Sequence, residues 1–241
     1  PYTYSWSPSG GTGAIATGLA AGTYTVTSTD ATGCSISATV TITQPTQLVV
    51  TATGTNVLCN AGNSGSATSA ATGGTTPYTY LWSNGQPTQN ATGLIAGTYT
   101  IVVTDANGCT AQTTVVITEP TALTIAAQGF AESCFGSCNG QIVTIPGGGT
   151  QPYAYLWSTG CTTPGCVGIC AGTYTIVVTD ANGCTIQDTA VVNSPPVLTA
   201  TATMTQALCG NANGTATVTA TGGVGTYTYS WNNSQTGQTA T

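Results

Sequence analysis

The chain repeats itself with a period of about 75 residues, and this periodicity constrains its fold more than any other feature. Successive tryptophans, Trp6, Trp82, Trp157 and Trp231, are separated by 76, 75 and 74 residues. The sequence Ala-Gly-Thr-Tyr-Thr also recurs, starting at Ala21, Ala96 and Ala171. Self-similarity at a fixed period is the signature of a repeat architecture. The sequence therefore predicts a tandem array of similar units.

Prolines mark the expected boundaries between these units. Strand-like runs end at Pro45, Pro120 and Pro195, and proline suits a short, stiff junction because it fixes φ and lacks an amide donor. We divide the chain into segments 1–45, 46–120, 121–196 and 197–241. The two middle segments are complete repeats, whereas the first is the C-terminal part of a repeat and the last is the N-terminal part. We expect the chain to be a section of a longer array.

Each complete repeat is predicted to form a small β-sandwich. Segment 46–120 contains strand-like runs at residues 48–58, 66–71, 78–82, 89–94, 98–104 and 109–118, separated by glycine-rich turns. Thr, Val, Ile, Tyr and Trp favour strands, and the near absence of Glu and Lys disfavours helices. Several short strands with frequent turns are typical of a sandwich. The predicted fold class is all-β, with repeats of about 75 residues arranged as an extended rod.

The composition excludes several classes of function. The chain has no Lys, Arg or His, six carboxylates and a net charge of −6. Without basic side chains it has nothing to neutralise nucleic-acid phosphates or to bind an anionic membrane surface, and no apolar run is long enough to insert into a membrane. The usual general bases and Schiff-base nucleophiles are missing as well. We therefore expect no enzyme activity.

Ten cysteines indicate disulfides in an exported chain. Six of them are periodic: Cys34, Cys109 and Cys184 follow a turn, and Cys59, Cys134 and Cys209 are expected to end the first strand. Pairing within a repeat gives Cys59–Cys109 and Cys134–Cys184, whereas pairing across a junction gives Cys34–Cys59, Cys109–Cys134 and Cys184–Cys209. We favour pairing within a repeat, because extended strands would separate the junction pairs by roughly tens of ångströms.

Segment 121–196 carries four additional cysteines, Cys138, Cys161, Cys166 and Cys170. We predict two further bridges among them, and the sequence leaves open which of the three connectivities forms. A zinc site is the alternative. The absence of His and of a C-x-x-C motif disfavours it.

One aspartate recurs in the same motif of each repeat. Asp30, Asp105 and Asp180 begin the sequence Asp-Ala-Asn/Thr-Gly-Cys, and aspartate commonly caps such a turn with its side chain. The alternative is a calcium ligand, but calcium takes six to eight oxygens and one carboxylate per repeat supplies few. No other cofactor is expected.

The recurring aromatic residues are predicted to be core residues. They alternate along a strand, so their side chains share one face; the set comprises Tyr78, Tyr80, Trp82 and Tyr99, and Tyr153, Tyr155, Trp157 and Tyr174. The alternative is a platform on which sugars stack. Thr189 follows Asp188 in a pattern that resembles the O-glycan acceptor of Bacteroidota, which makes it a candidate O-glycosylation site.

Three runs, 77–85, 96–109 and 116–120, resemble the SprB-type repeat of gliding-motility adhesins and related giant surface proteins of Bacteroidota. The Tyr-x-Trp-Ser-Asn-Gly motif is also similar to polycystic-kidney-disease (PKD) domains. The resemblance implies an immunoglobulin-like or PKD-like sandwich, export by type IX secretion, a position on the cell surface, and a role in adhesion or gliding. It implies no catalytic residues.

We therefore expect a structural and adhesive stalk. Its expected partners are neighbouring repeats of the same chain, other copies in a filament, and a surface polysaccharide or solid surface. The alternatives are an array of carbohydrate-binding modules, an accessory region of a secreted enzyme, and a self-assembling extracellular filament subunit. Buried tyrosines would weaken the carbohydrate alternative.

Overall fold

The computed structural model describes residues 1–241 as an all-β chain, with 18 strands and no helix. In chain order the strands are β1 (Thr3–Ser7), β2 (Gly22–Thr29), β3 (Ser35–Ile42), β4 (Val49–Thr55), β5 (Gly65–Thr72), β6 (Thr79–Trp82), β7 (Asn90–Leu94), β8 (Gly97–Thr104), β9 (Thr110–Ile117), β10 (Thr124–Phe130), β11 (Gly140–Gly147), β12 (Ala154–Trp157), β13 (Gly165–Ile169), β14 (Gly172–Thr179), β15 (Thr185–Val192), β16 (Thr199–Thr205), β17 (Thr215–Thr221) and β18 (Thr239–Ala240). No helix long and apolar enough to span a membrane is present.

The strands form six three-stranded sheets, with antiparallel pairs such as β1–β2, β4–β5 and β14–β15. Segment 46–120 contains β4-β5-β7 and β6-β8-β9, and segment 121–196 contains β10-β11-β13 and β12-β14-β15. Segments 1–45 and 197–241 contain β1-β2-β3 and β16-β17-β18. In each complete repeat, strands one, two and four form one sheet, and strands three, five and six form the other. These are the A-B-E and C-F-G groupings of an immunoglobulin sandwich without strand D.

The two sheets of segment 121–196 pack face to face around one hydrophobic core. Ile142 and Ile169 come from the first sheet, and Trp157, Ile176 and Val178 come from the second; all five belong to one buried cluster. Alternation along each strand places these side chains on the inner faces. The predicted β-sandwich is therefore confirmed for this repeat.

Two polar details support the immunoglobulin-like assignment. Trp157, on the strand equivalent to C, is 1% exposed, and its indole N–H donates to the Thr163 carbonyl oxygen at 3.1 Å. Tyr174, near the start of the strand equivalent to F, donates its hydroxyl to the Cys170 carbonyl oxygen at 2.9 Å. A buried tryptophan on strand C and a tyrosine that bonds back to the upstream backbone are both features of this fold.

The aromatic residues predicted to form the core divide into two groups. Trp82 and Trp157 are fully buried. The half-buried group comprises Tyr78, Tyr80, Tyr99, Tyr153, Tyr155 and Tyr174. In segment 121–196 the three tyrosines pack against the buried cluster. The hydroxyl groups of Tyr78 and Tyr153 donate to the carbonyl oxygens of Gly73 and Gly148. The rings thus cover the core while their hydroxyl groups hold neighbouring turns.

The chain forms two compact units. The first comprises Pro1–Thr55, Ser66–Thr92 and Thr98–Val116, and the second comprises Asn56–Gly65, Gly93–Gly97 and Ile117–Thr241. The loop 56–65 is therefore in the same compact unit as segment 121–196, although it precedes that segment in the sequence. The boundaries placed at the prolines stay a prediction.

The first strand of segment 46–120 ends at Thr55, three residues earlier than the sequence predicts. Beyond it, the Val57 amide donates to the Thr118 carbonyl oxygen at 2.9 Å, and the Thr118 amide donates to the Asn56 side-chain oxygen at 2.9 Å. These hydrogen bonds to Thr118 replace the bonds to β5 that a longer first strand would form. Cys59 consequently lies in a loop and not at the end of a strand.

Candidate functional site: a disulfide-linked socket

The Asp-Ala-Asn-Gly-Cys turn of segment 121–196 is built around the buried carboxylate of Asp180. Its Oδ1 accepts hydrogen bonds from the amides of Asn182 and Cys184, and its Oδ2 accepts one from the amide of Thr150, each at 2.9 Å. Burial alone raises the pKa of Asp180, but these amide donors outweigh it, so the pKa lies below the ordinary value of 3.8. The ionised carboxylate fixes the turn and positions Cys184.

The equivalent aspartates are bonded in the same way. Asp105 accepts from the amides of Thr75, Asn107 and Cys109, and these bonds outweigh burial to lower its pKa. The pKa of Asp30 is lowered first by its bond from the Thr32 hydroxyl and then by the Cys34 amide. Hydrogen-bond donors surround these carboxylates, which supports the turn-capping interpretation. Calcium binding at Asp30, Asp105 or Asp180 stays an untested alternative.

A disulfide joins the loop of one repeat to this turn of the next. Cys59 is bonded to Cys184, with a Cα–Cα distance of 5.7 Å and a sequence separation of 125 residues. The predicted pairs Cys59–Cys109 and Cys134–Cys184 are therefore wrong. The physical reason is that Cys59 leaves the first strand in the loop 56–65 and reaches the following repeat.

The junction-spanning alternative is also wrong, because it requires Cys59 and Cys184 to bond to other cysteines. Four cysteines keep free, exposed thiols: Cys34, Cys109, Cys134 and Cys209. The periodic cysteines thus follow neither of the two pairings considered from the sequence. Of the six periodic cysteines, only Cys59 and Cys184 are bonded, and they are bonded to each other.

Hydrogen bonds surround the Cys59–Cys184 bond. We call the loop 56–65 the cysteine loop, and we call the four residues that receive it, Glu119, Pro120, Asn182 and Cys184, the socket. Asn182 donates its side-chain amide to the Leu58 carbonyl oxygen at 2.9 Å. The Asn60 side chain donates to the Pro120 carbonyl oxygen at 3.1 Å, and the Ala61 amide donates to Glu119 Oε2 at 2.6 Å. The socket therefore recognises the backbone and polar side chains of the loop.

The four additional cysteines form two local bridges. Cys138 is bonded to Cys170, and Cys161 is bonded to Cys166. The sequence predicted two bridges among these residues and left their connectivity open. Both bridges lie inside segment 121–196 and reinforce its loops.

Sequence reasoning missed the role of Glu132, which is 4% exposed. It accepts hydrogen bonds from the amides of Gly136, Cys138 and Ala171 and from the Ser194 hydroxyl, at 2.8 to 3.2 Å. Burial raises the pKa of Glu132, but these four donors outweigh it and the pKa lies below its ordinary value of 4.5. The one signal in the sequence was an acidic residue that has no counterpart in the other repeats.

Glu132 also lies close to the sulfur atoms of Cys138 and Cys170, with ligand atoms within 4.8 Å of one another. Such a group resembles a metal site only when the cysteines are thiolates. Both sulfurs are joined in a disulfide, so they are not thiolates in the oxidised chain. There the disulfide and the Glu132 carboxylate hold the backbone at Cys138 and Ala171.

The candidate O-glycosylation residue, Thr189, lies exposed on β15. The carboxylate of the preceding Asp188 holds backbone in place. Its Oδ2 accepts a hydrogen bond from the Ala127 amide of β10 at 2.9 Å, and its Oδ1 accepts one from the Thr189 amide at 2.8 Å. Glycosylation of Thr189 stays a prediction.

The fold and the cross-repeat contact define a tandem array of immunoglobulin-like β-sandwiches. Three parts of the chain, residues 51–87, 132–162 and 201–236, match the family described as the SprB repeat. They lie in the segments that begin at residues 46, 121 and 197. The resemblance to SprB-type repeats is thereby confirmed, and the chain is a repeat region of the structural or adhesive type.

A search of curated proteins gives no match. Among solved structures, eight immunoglobulin domains of the Down syndrome cell adhesion molecule (DSCAM) are similar at 14% identity, covering 80% of this chain and 32% of that one, with a TM-score of 0.37. A complex of Dpr2 with DIP-Theta is similar at 12% identity, covering 71% and 72% of the two chains, with a TM-score of 0.28. The chain thus spans about a third of the DSCAM structure. At these TM-scores the fold assignment depends on the sheets and core described above.

Proposed function

We propose that this chain is part of the stalk of a secreted, adhesive cell-surface protein, of the kind exported by type IX secretion in Bacteroidota and active in gliding motility. The observation that carries the proposal is the disulfide between Cys59 and Cys184, which ties one repeat to the next. An array of small domains has few contacts between units, and its stability is a sum of unit and interface contributions. A covalent tie between neighbours suits an array that must hold together under load.

The six carboxylates support a non-catalytic role. Each of them accepts at least one backbone amide hydrogen bond: Asp30, Asp105, Glu119, Glu132, Asp180 and Asp188. A general acid or base must instead reach a substrate proton. With the acidic groups used to hold turns and loops, and no histidine or lysine present, the side chains favour a structural role over catalysis.

The burial of Trp82 and Trp157 disfavours an array of carbohydrate-binding modules. Stacking on a sugar requires an exposed ring face, but Trp82 and Trp157 are each 1% exposed. Both indole N–H groups donate to main-chain carbonyl oxygens. The partners we propose are neighbouring repeats along the stalk and a polysaccharide or solid surface at the site of adhesion.

Single-molecule pulling tests the load-bearing part of the proposal. The chain is held by its two ends, and its extended length is compared between the oxidised protein and the oxidised Cys59→Ser variant. In the wild type the bond shields 125 residues from the force. In the variant, Cys138–Cys170 still shields 32 of them, so the remaining 93 residues add roughly 330 Å of length at about 3.5 Å per residue. Reduction of all disulfides in the wild type releases all 125 residues, which adds roughly 440 Å to the length of the oxidised protein.

The Cys209→Ser variant is the matched control, because it removes a free thiol and should leave the extended length unchanged. Equal lengths for wild type and Cys59→Ser would contradict a load-bearing bond. Adhesion is tested separately, by touching a tip that carries the chain to bare and polysaccharide-coated surfaces. Rupture forces no greater than those of an uncoated tip would contradict the adhesive part.

A further inference from the structure

A cavity beside Cys109 reproduces the socket that holds the cysteine loop in segment 121–196. It encloses about 330 Å³, and it is lined by Gln44, Pro45, Thr46, Gln47, Leu48, Gly74, Asn107, Cys109 and Thr110. One period of 75 residues further on, the same positions are Glu119, Pro120, Thr121, Ala122, Leu123, Gly149, Asn182, Cys184 and Thr185. Seven of the nine residues are identical, and the exceptions are Gln44 and Gln47.

The polar groups that receive the loop in the occupied socket are present at the second one. Asn107 corresponds to Asn182, which bonds the Leu58 carbonyl oxygen, and Pro45 corresponds to Pro120, whose carbonyl oxygen accepts from Asn60. Gln44 corresponds to Glu119, and its side-chain amide also carries an acceptor oxygen. Cys109 is a free, exposed thiol.

We propose that this second socket binds the cysteine loop of another SprB-type repeat and forms a disulfide with it through Cys109. The general rule is that the loop cysteine of each repeat bonds to the turn cysteine of the next one, 125 residues later. By this rule, Cys134 and Cys209 are loop cysteines that bond to the turn cysteine of a following repeat. Cys34 and Cys109 are turn cysteines that bond to the loop cysteine of a preceding repeat. This inference goes beyond the proposed function and does not depend on where the protein is located.

The rule accounts for every free thiol. Positions 125 residues after Cys134 and Cys209, or 125 residues before Cys34 and Cys109, all fall outside residues 1–241. Within the chain, only Cys59 and Cys184 satisfy the rule, and they are the periodic cysteines that are bonded. A ladder of such bonds would link each repeat covalently to both neighbours.

Bond formation consumes a disulfide oxidant, for which we name glutathione disulfide. The Cys109 thiol and the loop thiol each lose a proton and together lose two electrons. The S–S bond of glutathione disulfide breaks, and its halves leave as two glutathione thiols. The new S–S bond joins the loop to the socket.

The test uses the full oxidised chain and a synthetic peptide with the sequence of residues 56–65, which contains Cys59 as its only thiol. The two are equilibrated with reduced and oxidised glutathione, and attachment to each free cysteine is measured by mass spectrometry. We expect the peptide on Cys109 about thirtyfold more than on Cys134 or Cys209, the ratio that two hydrogen bonds of about 1 kcal/mol each supply. A scrambled peptide of the same composition should show no such preference.

Two substitutions should change peptide attachment at Cys109 in opposite directions. Asn107→Ala should lower attachment at Cys109, because it removes the donor that Asn182 supplies in the occupied socket. Gln44→Glu should raise it, because Glu119 is the residue that accepts the Ala61 amide. Gln44 is exposed, so this variant tests the proposal even if Asn107→Ala disturbs its turn. Equal attachment at Cys109, Cys134 and Cys209, or attachment unchanged by both substitutions, would overturn the proposal.

Discussion

Asn182 donates its side-chain amide to the carbonyl oxygen of Leu58, 124 residues earlier in the chain, at 2.9 Å. The same amide also donates to the Thr150 hydroxyl at 3.0 Å, so one side chain links its own turn to the loop of the preceding repeat. Two residues further on, Cys184 completes the contact with its bond to Cys59. In segment 121–196, the Asp-Ala-Asn-Gly-Cys motif is therefore both a turn and a receptor for the loop of the preceding repeat.

Substitution of Asn182 by alanine should weaken closure of the Cys59–Cys184 bond. A neutral hydrogen bond contributes about 1 kcal/mol, or roughly a fivefold change in an equilibrium constant. The thiol–disulfide equilibrium of Cys59 with glutathione measures this effect. Asn107→Ala is the matched control, because the Asn107 side chain bonds to Thr75 in the same kind of turn. An equal change in both variants would contradict a role for Asn182 in the cross-repeat contact.

Replacement of Glu132 by glutamine should reduce the sensitivity of the chain to acid. Because the folded-state pKa of Glu132 lies below 4.5, the stabilisation it gives is complete above that pH and is lost as the pH falls through the folded-state pKa. Denaturant midpoints at pH 7 and pH 3 measure the loss. The variant should be less stable than wild type at pH 7 and should lose less between the two values. Parallel losses in both proteins would contradict this role.

Truncation of Ile176 to alanine should destabilise segment 121–196 by about 2–5 kcal/mol, because the side chain is fully buried between the two sheets. Denaturant unfolding followed by tryptophan fluorescence measures the change. Val167→Ala is the control, since Val167 is 76% exposed on β13 and its change should stay within about 0.5 kcal/mol. Similar losses in the two variants would argue against the described core.

Calcium should leave the melting temperature of the chain unchanged, because the carboxylates of Asp105 and Asp180 are already bonded to backbone amides. Thermal unfolding in calcium chloride and in a chelator provides the measurement. Asp180→Asn should lower the melting temperature equally in both solutions, since it removes the charged acceptor of the turn. A calcium-dependent rise that disappears in this variant would identify a calcium site.

Much of the fold was predictable because it repeats. Alternation of Tyr78, Tyr80 and Trp82 predicted a strand with one inward face, and the structure places β6 there with Trp82 buried. Such a signal is local, since the spacing of side chains along a strand fixes the face on which they lie. Four copies of the same pattern removed most of the ambiguity that one short strand would leave.

The cysteine pairing was not predictable in the same way. The apolar residues Val57 and Leu58 made the first strand look longer than it is, which placed Cys59 at a strand end. Three different pairing rules also fit the same six periodic cysteines, and no local pattern distinguishes them. The choice depends on the position of the cysteine loop in the folded chain. Glu132 escaped notice for a related reason, because its donors come from residues as distant as Ser194.

The most direct test of this account is a disulfide map of the oxidised chain. Free thiols are alkylated in denaturant, the unreduced protein is digested with pepsin at low pH, and linked peptides are identified by mass spectrometry. The account predicts the pairs Cys59–Cys184, Cys138–Cys170 and Cys161–Cys166, with alkylation at Cys34, Cys109, Cys134 and Cys209. Pairs joining Cys59 to Cys109 and Cys134 to Cys184 would contradict it, because each repeat would then be closed on itself.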